Sequence, residues 1–329
     1  MATYDVYGLG NAIVDTEFEV TDEVVAACNV DKGMMTLINE SQKHALLAEL
    51  SKTHDAVNRS SGGSAANTIV AVAQFGGTPY YSGRVASDNT GDYFISDLLA
   101  AGVATNLEAG RVTGVSGECI SLVTPDAERT MTTCLGVSGD LSPTVIDENA
   151  LSYSKYLYLE GYLVTGDSSR EALFRAQDIA RANNVTVSLT LSDPTIVDAF
   201  RPVFDDIVAK GVDLLFCNEE EAKLWVGATD TESAVSAVAQ RCPTYAVTRG
   251  AAGAVVSHRG QAIPVAGSKA TPVDTTGAGD MFAGAYLWAL SQGQSHMEAA
   301  TLANKSAATV VSHFGARLTA DVFAKHLQR

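Results

Sequence analysis

Seven consecutive residues carry the densest chemistry in the sequence: Asp274-Thr275-Thr276-Gly277-Ala278-Gly279-Asp280. This polar, glycine-rich turn runs straight into Met281–Leu290, a stretch without charge, which reads as a helix buried on all sides. The first amides of such a helix have no partner inside it. They point along the positive end of the helix dipole, and the small residues Gly277, Ala278 and Gly279 let an anion come close. Asp280 then stands in the first turn beside that anion. A carboxylate there is electrostatically awkward unless it takes the proton of a hydroxyl that attacks a phosphate. A bare Gly-x-Gly ahead of a helix is more often only a capped core helix. The acid just past the glycines reverses that preference.

A second glycine site lies upstream. Gly62-Gly63-Ser64-Ala65-Ala66-Asn67 precedes the apolar run Ile69–Phe75, which stops at Gly76-Gly77, a normal helix end. Glycine at such a start lets the backbone lie against a ligand. Near the N-terminus, residues 4–10 read as a strand ending in a turn, followed by Asn11 and Asp15. One carboxylate can accept from two hydroxyls, which suits Asp15 to a vicinal diol; a plain turn aspartate is the alternative. Gly8 and Gly10 suggest a dinucleotide fingerprint, but position 13 is Ile where the third glycine is needed. That removes the NAD-dehydrogenase reading, and no Gly-x-x-x-x-Gly-Lys-Ser/Thr loop is present to support a P-loop kinase.

Asp-Thr-x-Gly-Ala-Gly-Asp opening a buried helix resembles the signature of the ribokinase/PfkB carbohydrate-kinase family, within which adenosine kinase-like nucleoside kinases are the nearest likeness. Gly62, Gly63 and Asn67 resemble its Gly-Gly-x-x-x-Asn signature, and Asn218 to Glu221 its Asn-x-x-Glu. The resemblance implies an α/β, ribokinase-like three-layer α/β/α fold, with a central mostly parallel sheet and a small β-sheet lid. It implies a core of 1–11, 39–104 and 136–329 and a lid of 12–38 and 105–135. It also implies an ATP-dependent phosphotransferase with an alcohol acceptor, the primary hydroxyl of a ribose-bearing molecule.

Asn11, Asp15, Gly62, Gly63 and Asn67 would grip the sugar, Asp280 would be the base, and the amides of Gly277, Ala278 and Gly279 would hold the phosphoryl charge. Asn218, Glu221, Thr248, Gly250, Gly253 and Asn304 would serve ATP, although Asn218 and an acidic first turn also make an ordinary helix cap. Glu221 would reach Mg2+ through water, and Asp274 would take the monovalent cation, K+, that some members need. Arg129 would neutralise the moving phosphoryl group, or is a surface arginine. Tyr162 would stack on a base, with a core tyrosine as the rival. Met131 and Leu135 would contact that base or merely pack the lid, their aim depending on a local twist. Adenosine is the favoured acceptor, because Met34, Met35, Met131 and Leu135 make an apolar lid edge. A ribokinase- or fructokinase-like sugar kinase is the alternative. A non-catalytic nucleoside sensor is a third reading, disfavoured because a pure binder needs no base.

Those residues must be positioned by 329 residues that are 46% hydrophobic, enough for a sizeable core. The net charge of −16 argues against nucleic acid or an anionic membrane as partner. The partner expected is a small nucleoside or sugar, and the chain a monomer or homodimer. The acidic first thirty residues lack Lys and Arg, unlike a targeting segment, and no run is long enough to span a bilayer. Cys28, Cys119, Cys134, Cys217 and Cys242 form no Cys-x-x-Cys pair and read as reduced thiols, hence a cytoplasmic location.

Strands at 16–20 and 34–38 flank a helix at 21–28. A helix at 41–51 is capped by Ser41 or Asn39. A strand near Ser82 leads to a helix at 91–100. Lid strands are expected at 112–114, 117–124 and 129–134, with a turn at Pro125-Asp126. Beyond residue 155, strands at 156–159, 185–190, 213–217 and 243–248 alternate with helices at 168–182, 195–209, 218–226 and 231–240. That series makes a parallel sheet, whose ligands bind beyond the strands' carboxyl ends. Gly161, Tyr162, Asp193, Asn218, Thr248 and Gly250 sit there. A loop from Pro264 to Pro272 and helices at 295–312 and 319–328 complete the reading.

Overall fold

A computed structural model describes residues 3–28, 30–126 and 128–327. Its strands are β1 (Tyr4–Leu9), β2 (Ile13–Glu19), β3 (Met35–Leu37), β4 (Asn58–Gly62), β5 (Pro79–Ser82), β6 (Ala104–Thr105) and β7 (Gly117–Val123). They continue with β8 (Arg129–Cys134), β9 (Ser154–Glu160), β10 (Thr186–Thr190), β11 (Leu214–Asn218), β12 (Tyr245–Thr248), β13 (Ala254–His258) and β14 (Gln261–Val265). Nine of them form the main sheet in the order β14-β13-β12-β11-β10-β9-β1-β5-β6. From β6 to β12 every pairing is parallel; β13 and β14 close the edge as an antiparallel hairpin.

The parallel strands read as continuous apolar runs, Leu157-Tyr158-Leu159 and Leu214-Leu215-Phe216 among them, because helices cover both faces. One apolar cluster joins the sheet to helices Ser64–Gln74, Ala278–Ser291 and His296–Val311; a second joins its other face to helices Asp167–Ala182, Pro194–Gly211 and Glu219–Val226. The fold is therefore the expected three-layer, ribokinase-like α/β architecture. Among the described residues no helix is long and apolar enough to cross a membrane.

The remaining strands make a second sheet, β3-β8-β7-β2-β4. Its two faces follow the strand period of two. Phe18, Ile120 and Leu122 face outward and pack on Val25 and Leu50. Asp15, Cys119, Met131 and Thr133 occupy the other face, held in register by the Asp15–Cys119 and Cys119–Thr133 pairs. Met131 in β8 and Leu135, one residue past its end where the chain turns into a helical conformation, both line the cavity.

Three expectations differ from the structure. Residues 58–62, read as a glycine loop within the 39–104 core segment, form strand β4 on the edge of the small sheet. Their polar side chains suit an edge. The expected strand at 112–114 is reduced to one bridge, Ala86 to Val112, because Gly114 at φ +137° breaks extended pairing. Pro264, read as the start of a loop, is the fourth residue of β14, where an edge strand tolerates the missing N–H. Asn39, not Ser41, caps helix Glu40–Leu50 through a capping box with Gln42. Residue 328 of the expected last helix lies outside the described residues.

The two glycine-headed helices pack tightly on each other. A Cβ on Gly284 would lie 2.5 Å from the Thr68 carbonyl and 2.6 Å from the Ala71 methyl. Gly284→Val is expected to cost about 1–3 kcal/mol of stability, the usual scale of overpacking, read as a lower urea midpoint.

Candidate active site

Where the order of the main sheet reverses, β1 lies between β5 and β9. At such a switch point the loops beyond neighbouring strands splay apart and leave a crevice. A cavity of 500 Å³ opens there, of ordinary size for a small-molecule site. Its lining comes from β1's exit (Asn11), β9's end (Glu160, Tyr162), β11's end (Asn218, Glu221), Thr248, both glycine-headed helices and the inner face of the small sheet.

Asp280 stands on the cavity wall in the first turn of helix Ala278–Ser291. Ser64 Oγ donates to its Oδ1 at 2.7 Å, and Asn67 Nδ2 to its Oδ2 at 3.1 Å. Both donors come from the other glycine-headed helix. Burial raises the Asp280 carboxyl above its ordinary range, while Ser64, Asn67 and Arg317 oppose the shift.

The neighbouring glycines have different reasons. Gly277 adopts φ +75°, and a Cβ there would lie 2.3 Å from the Ala316 carbonyl, so both backbone and packing demand glycine. A Cβ on Gly279 meets nothing within 4 Å and would simply enter the cavity. Their amides find no acceptor among the described residues. The Ala278 amide does: it donates to Thr275 O at 3.3 Å. The expected cradle of three amides therefore has two free members.

Across the cavity, Asp15 sits on β2 with its carboxylate against Gly62; a Cβ on Gly62 would lie 2.0 Å from Asp15 Oδ2. Gly62 does not line the cavity but makes room for the acid that does. Burial first, and then Asp280, push Asp15 up to about 6, against the opposing charges of Arg317 and Arg129. Gly63, at φ +88°, caps the Ser64–Gln74 helix and lines the cavity. Glu160 is fully buried, and its two oxygens accept from Asn11 N at 2.7 Å and Ala65 N at 2.8 Å. It joins the segment at Asn11 to the start of the Ser64–Gln74 helix. Burial moves it up to about 7. Tyr162 lines the cavity with Met35, Leu37, Met131, Leu135 and Ile196.

Toward β11, Asn218 and Glu221 form a capping box in which Asn218 N and Nδ2 donate to the Glu221 oxygens. Both residues line the cavity, and burial moves Glu221 up to about 7. The cap and the cavity wall are thus the same two residues. Glu221 and Asn218 supply oxygen atoms of the kind Mg2+ accepts through its waters. Asp274 already holds donors: its carboxylate receives Arg129 Nη1 at 2.6 Å, Gly315 N at 2.8 Å and Thr276 N at 3.0 Å. One of those donors is a cation and two are neutral backbone amides.

Arg129 bridges Asp274 to Glu17, so it ties the small sheet to the signature loop and does not line the cavity. Thr248 lines the cavity, but Gly250, Gly253 and Asn304 lie outside it. Asn304 Nδ2 donates to Val265 O and Ala266 O at 3.3 and 3.1 Å. A Cβ on Gly253 would lie 2.2 Å from that same Val265 carbonyl, so Gly253 and Asn304 hold one turn between them.

Ser64, Glu160 and Arg317 were not singled out from the sequence. Ser64 adjoins Gly63 and Glu160 directly follows a predicted strand, so position could have found both. Arg317 lies in a loop after helix His296–Val311 with no local signal.

A doubly wound sheet with a glycine-headed helix and an acid at its switch point, covered by a small sheet, defines a ribokinase-like kinase fold. The chain belongs to the pfkB family of carbohydrate kinases, which residues 26–322 match. A probable sugar kinase from Rhizobium etli CFN 42 is 33% identical, with all of this chain and 99% of that one covered at a TM-score of 0.89. The adenosine kinase of Sinorhizobium meliloti is 34% identical over 99% of each chain, with a TM-score of 0.88. The adenosine kinase of Saccharomyces cerevisiae is 27% identical over 87% of this chain and 88% of its own length.

Two measurements check the geometry. Gly279→Val is expected to leave thermal stability within about 0.5 kcal/mol of the parent and to abolish the stabilisation that added ATP gives. A retained ATP shift would place the nucleotide elsewhere. The raised carboxyls predict an acid-stabilised apo protein. Glu160 and Glu221 bind a proton more tightly folded than unfolded, so their contribution is complete below about 4.5 and lost as pH rises through about 7. The melting temperature should fall across that window and then level off.

Proposed function

We propose that this protein is an ATP-dependent phosphotransferase that moves the γ-phosphate to a primary hydroxyl of a ribose-bearing acceptor, adenosine in particular. One observation carries the reading. Asp280 lines one cavity with two residues whose backbone amides are free, Gly277 and Gly279, and with Asp15, Gly63 and Asn67. An acceptor gripped by Asp15, Asn11 and Gly63 presents its hydroxyl to Asp280. Asp280 takes the proton as the oxygen attacks, and the Gly277 and Gly279 amides meet the charge on the phosphoryl oxygens.

Magnesium bound to ATP supplies neutralising charge; Glu221 and Asn218 are the residues of this chain that would face it. Arg129 serves the phosphate only if it leaves Glu17 and Asp274. The small sheet covers the cavity and limits water, which would compete as acceptor.

Adenosine is favoured by the apolar wall of Met35, Leu37, Met131, Leu135 and Ile196 with Tyr162, an unusual amount of apolar surface for a bare sugar. The similarity to Sinorhizobium meliloti adenosine kinase supports it. The equal similarity to a probable sugar kinase keeps a sugar acceptor as the second reading. A sensor without turnover is disfavoured by Asp280, which a binder does not need.

An ADP-release assay over adenosine, inosine, guanosine, cytidine, ribose and fructose separates these readings. Adenosine is expected to give the highest kcat/KM; a fructose or ribose winner with silent nucleosides overturns the choice. Asp280→Asn should bind the acceptor normally and lose ~100-fold or more in turnover. Near-normal turnover would remove Asp280 from the chemistry.

A further inference from the structure

Three consecutive residues beyond the His296–Val311 helix touch three parts of the site. Gly315 N donates to Asp274 Oδ2 at 2.8 Å. The Ala316 backbone lies where a Cβ on Gly277 would be, 2.3 Å from its carbonyl oxygen. Arg317 Nε donates to Asn67 Oδ1 at 2.8 Å. On its far side, Arg317 Nη1 donates to Ser61 Oγ at 2.9 Å and to Asp97 Oδ2 at 3.2 Å. Ser61 N and Oγ also donate to Asp97 Oδ2. The guanidinium is thus clamped between β4, helix Asn89–Ala100 and helix Ser64–Gln74, with its side chain only 14% exposed.

We infer that Arg317 is a positioning residue for phosphoryl transfer: it fixes the Asn67 amide in the orientation that donates to Asp280 and locks that amide to the signature turn. An amide side chain carries an acceptor at one end and donors at the other. Arginine has donors only, so it dictates which end of Asn67 faces it. The oxygen must point to Arg317, and the Nδ2 donor is left for Asp280. Without that partner the amide keeps only one of its two orienting contacts, the Nδ2 bond to Asp280, and loses the one that fixes its position along the cavity wall.

Arg317 also supplies charge. Asp280 is faced by Ser64 and Asn67 from the upstream helix, Asp15 from β2, Glu160 and Tyr158 from β9, Tyr162 beyond it, and Arg317 from the C-terminal segment. Among these, Arg317 is the cation. It lowers both Asp15 and Asp280 against burial, which raises them. The removal of that charge makes the base harder to ionise, so activity would fail at a higher pH as the solution is acidified.

This inference rests on Asp280 as the base, and the experiment separates the two. Arg317→Lys, Arg317→Ala and Asp280→Asn are assayed with Mg–ATP and adenosine, recording kcat and KM from pH 5 to 9 and the melting temperature. Arg317→Lys keeps the charge and loses the fork. It should lower kcat by ~10–100-fold, the scale of a misaligned group, with its acid limb in place. Arg317→Ala should lose as much and shift the acid limb upward. Added guanidinium should restore part of its kcat, while sodium chloride at equal ionic strength should not.

Wild-type kcat in Arg317→Lys overturns the inference, and does so even if Arg317→Ala fails to fold. An Arg317→Ala protein that folds with normal kcat and an unmoved acid limb overturns it as well. If Asp280→Asn turns over normally, the base assignment fails and the inference falls with it. An inactive Asp280→Asn beside fully active Arg317 variants sinks the inference alone.

Discussion

Three carboxylates, Asp15, Glu160 and Asp280, line one cavity, and the charge of Asp280 acts on both of the others. Burial and mutual repulsion both press them toward protonation. The fold answers with directed donors: two backbone amides on Glu160, a hydroxyl and an amide on Asp280, and the Arg317 guanidinium within range of two of the acids. Much of the local architecture follows from supplying them. The Ser64–Gln74 helix must start beside Asp280 to bring Ser64 and Asn67. Gly62 must lack a side chain so that Asp15 has space. Gly277 must be left-handed so that the 315–317 segment can pass behind it.

The two glycine-headed helices solve this together. Each ends a glide of chain from one of the sheets into the switch-point crevice, and each presents a helix start to the cavity. Their close packing through Gly284 fixes the distance between the acid and the donors that hold it. Conventional core packing is thereby coupled to site geometry: a small displacement between these helices moves Asn67 relative to Asp280, and no independent loop is available to correct it.

Much of this was legible in the residues. The signature turn, the Gly62-Gly63 start and the strand–helix alternation beyond residue 155 are local patterns, and local patterns survive in a linear sequence. Asn218 was legible twice, as a cap and as a cavity residue, and the structure makes it both. What failed was non-local. Strand β4 is polar and glycine-ended, so nothing in residues 58–62 advertises a strand; its partner β2 supplies that. Arg129 and Asp274 were given separate ligands; they pair with each other, from β8 and from the turn before helix Ala278–Ser291, across 145 positions. Gly253 and Asn304 were read separately for a nucleotide; the sequence could not show that both lie beside the Val265 carbonyl. Arg317 is joined to Asn67 across 250 positions, a separation that no window of sequence can show.

The margins of the main sheet hold a last consequence. On one side β14 carries Pro264 opposite Val255, and a proline offers no hydrogen to a neighbouring chain. On the other, β6 is only two residues long. Both flanks are thus blunted as templates for strand addition by a copy of the chain.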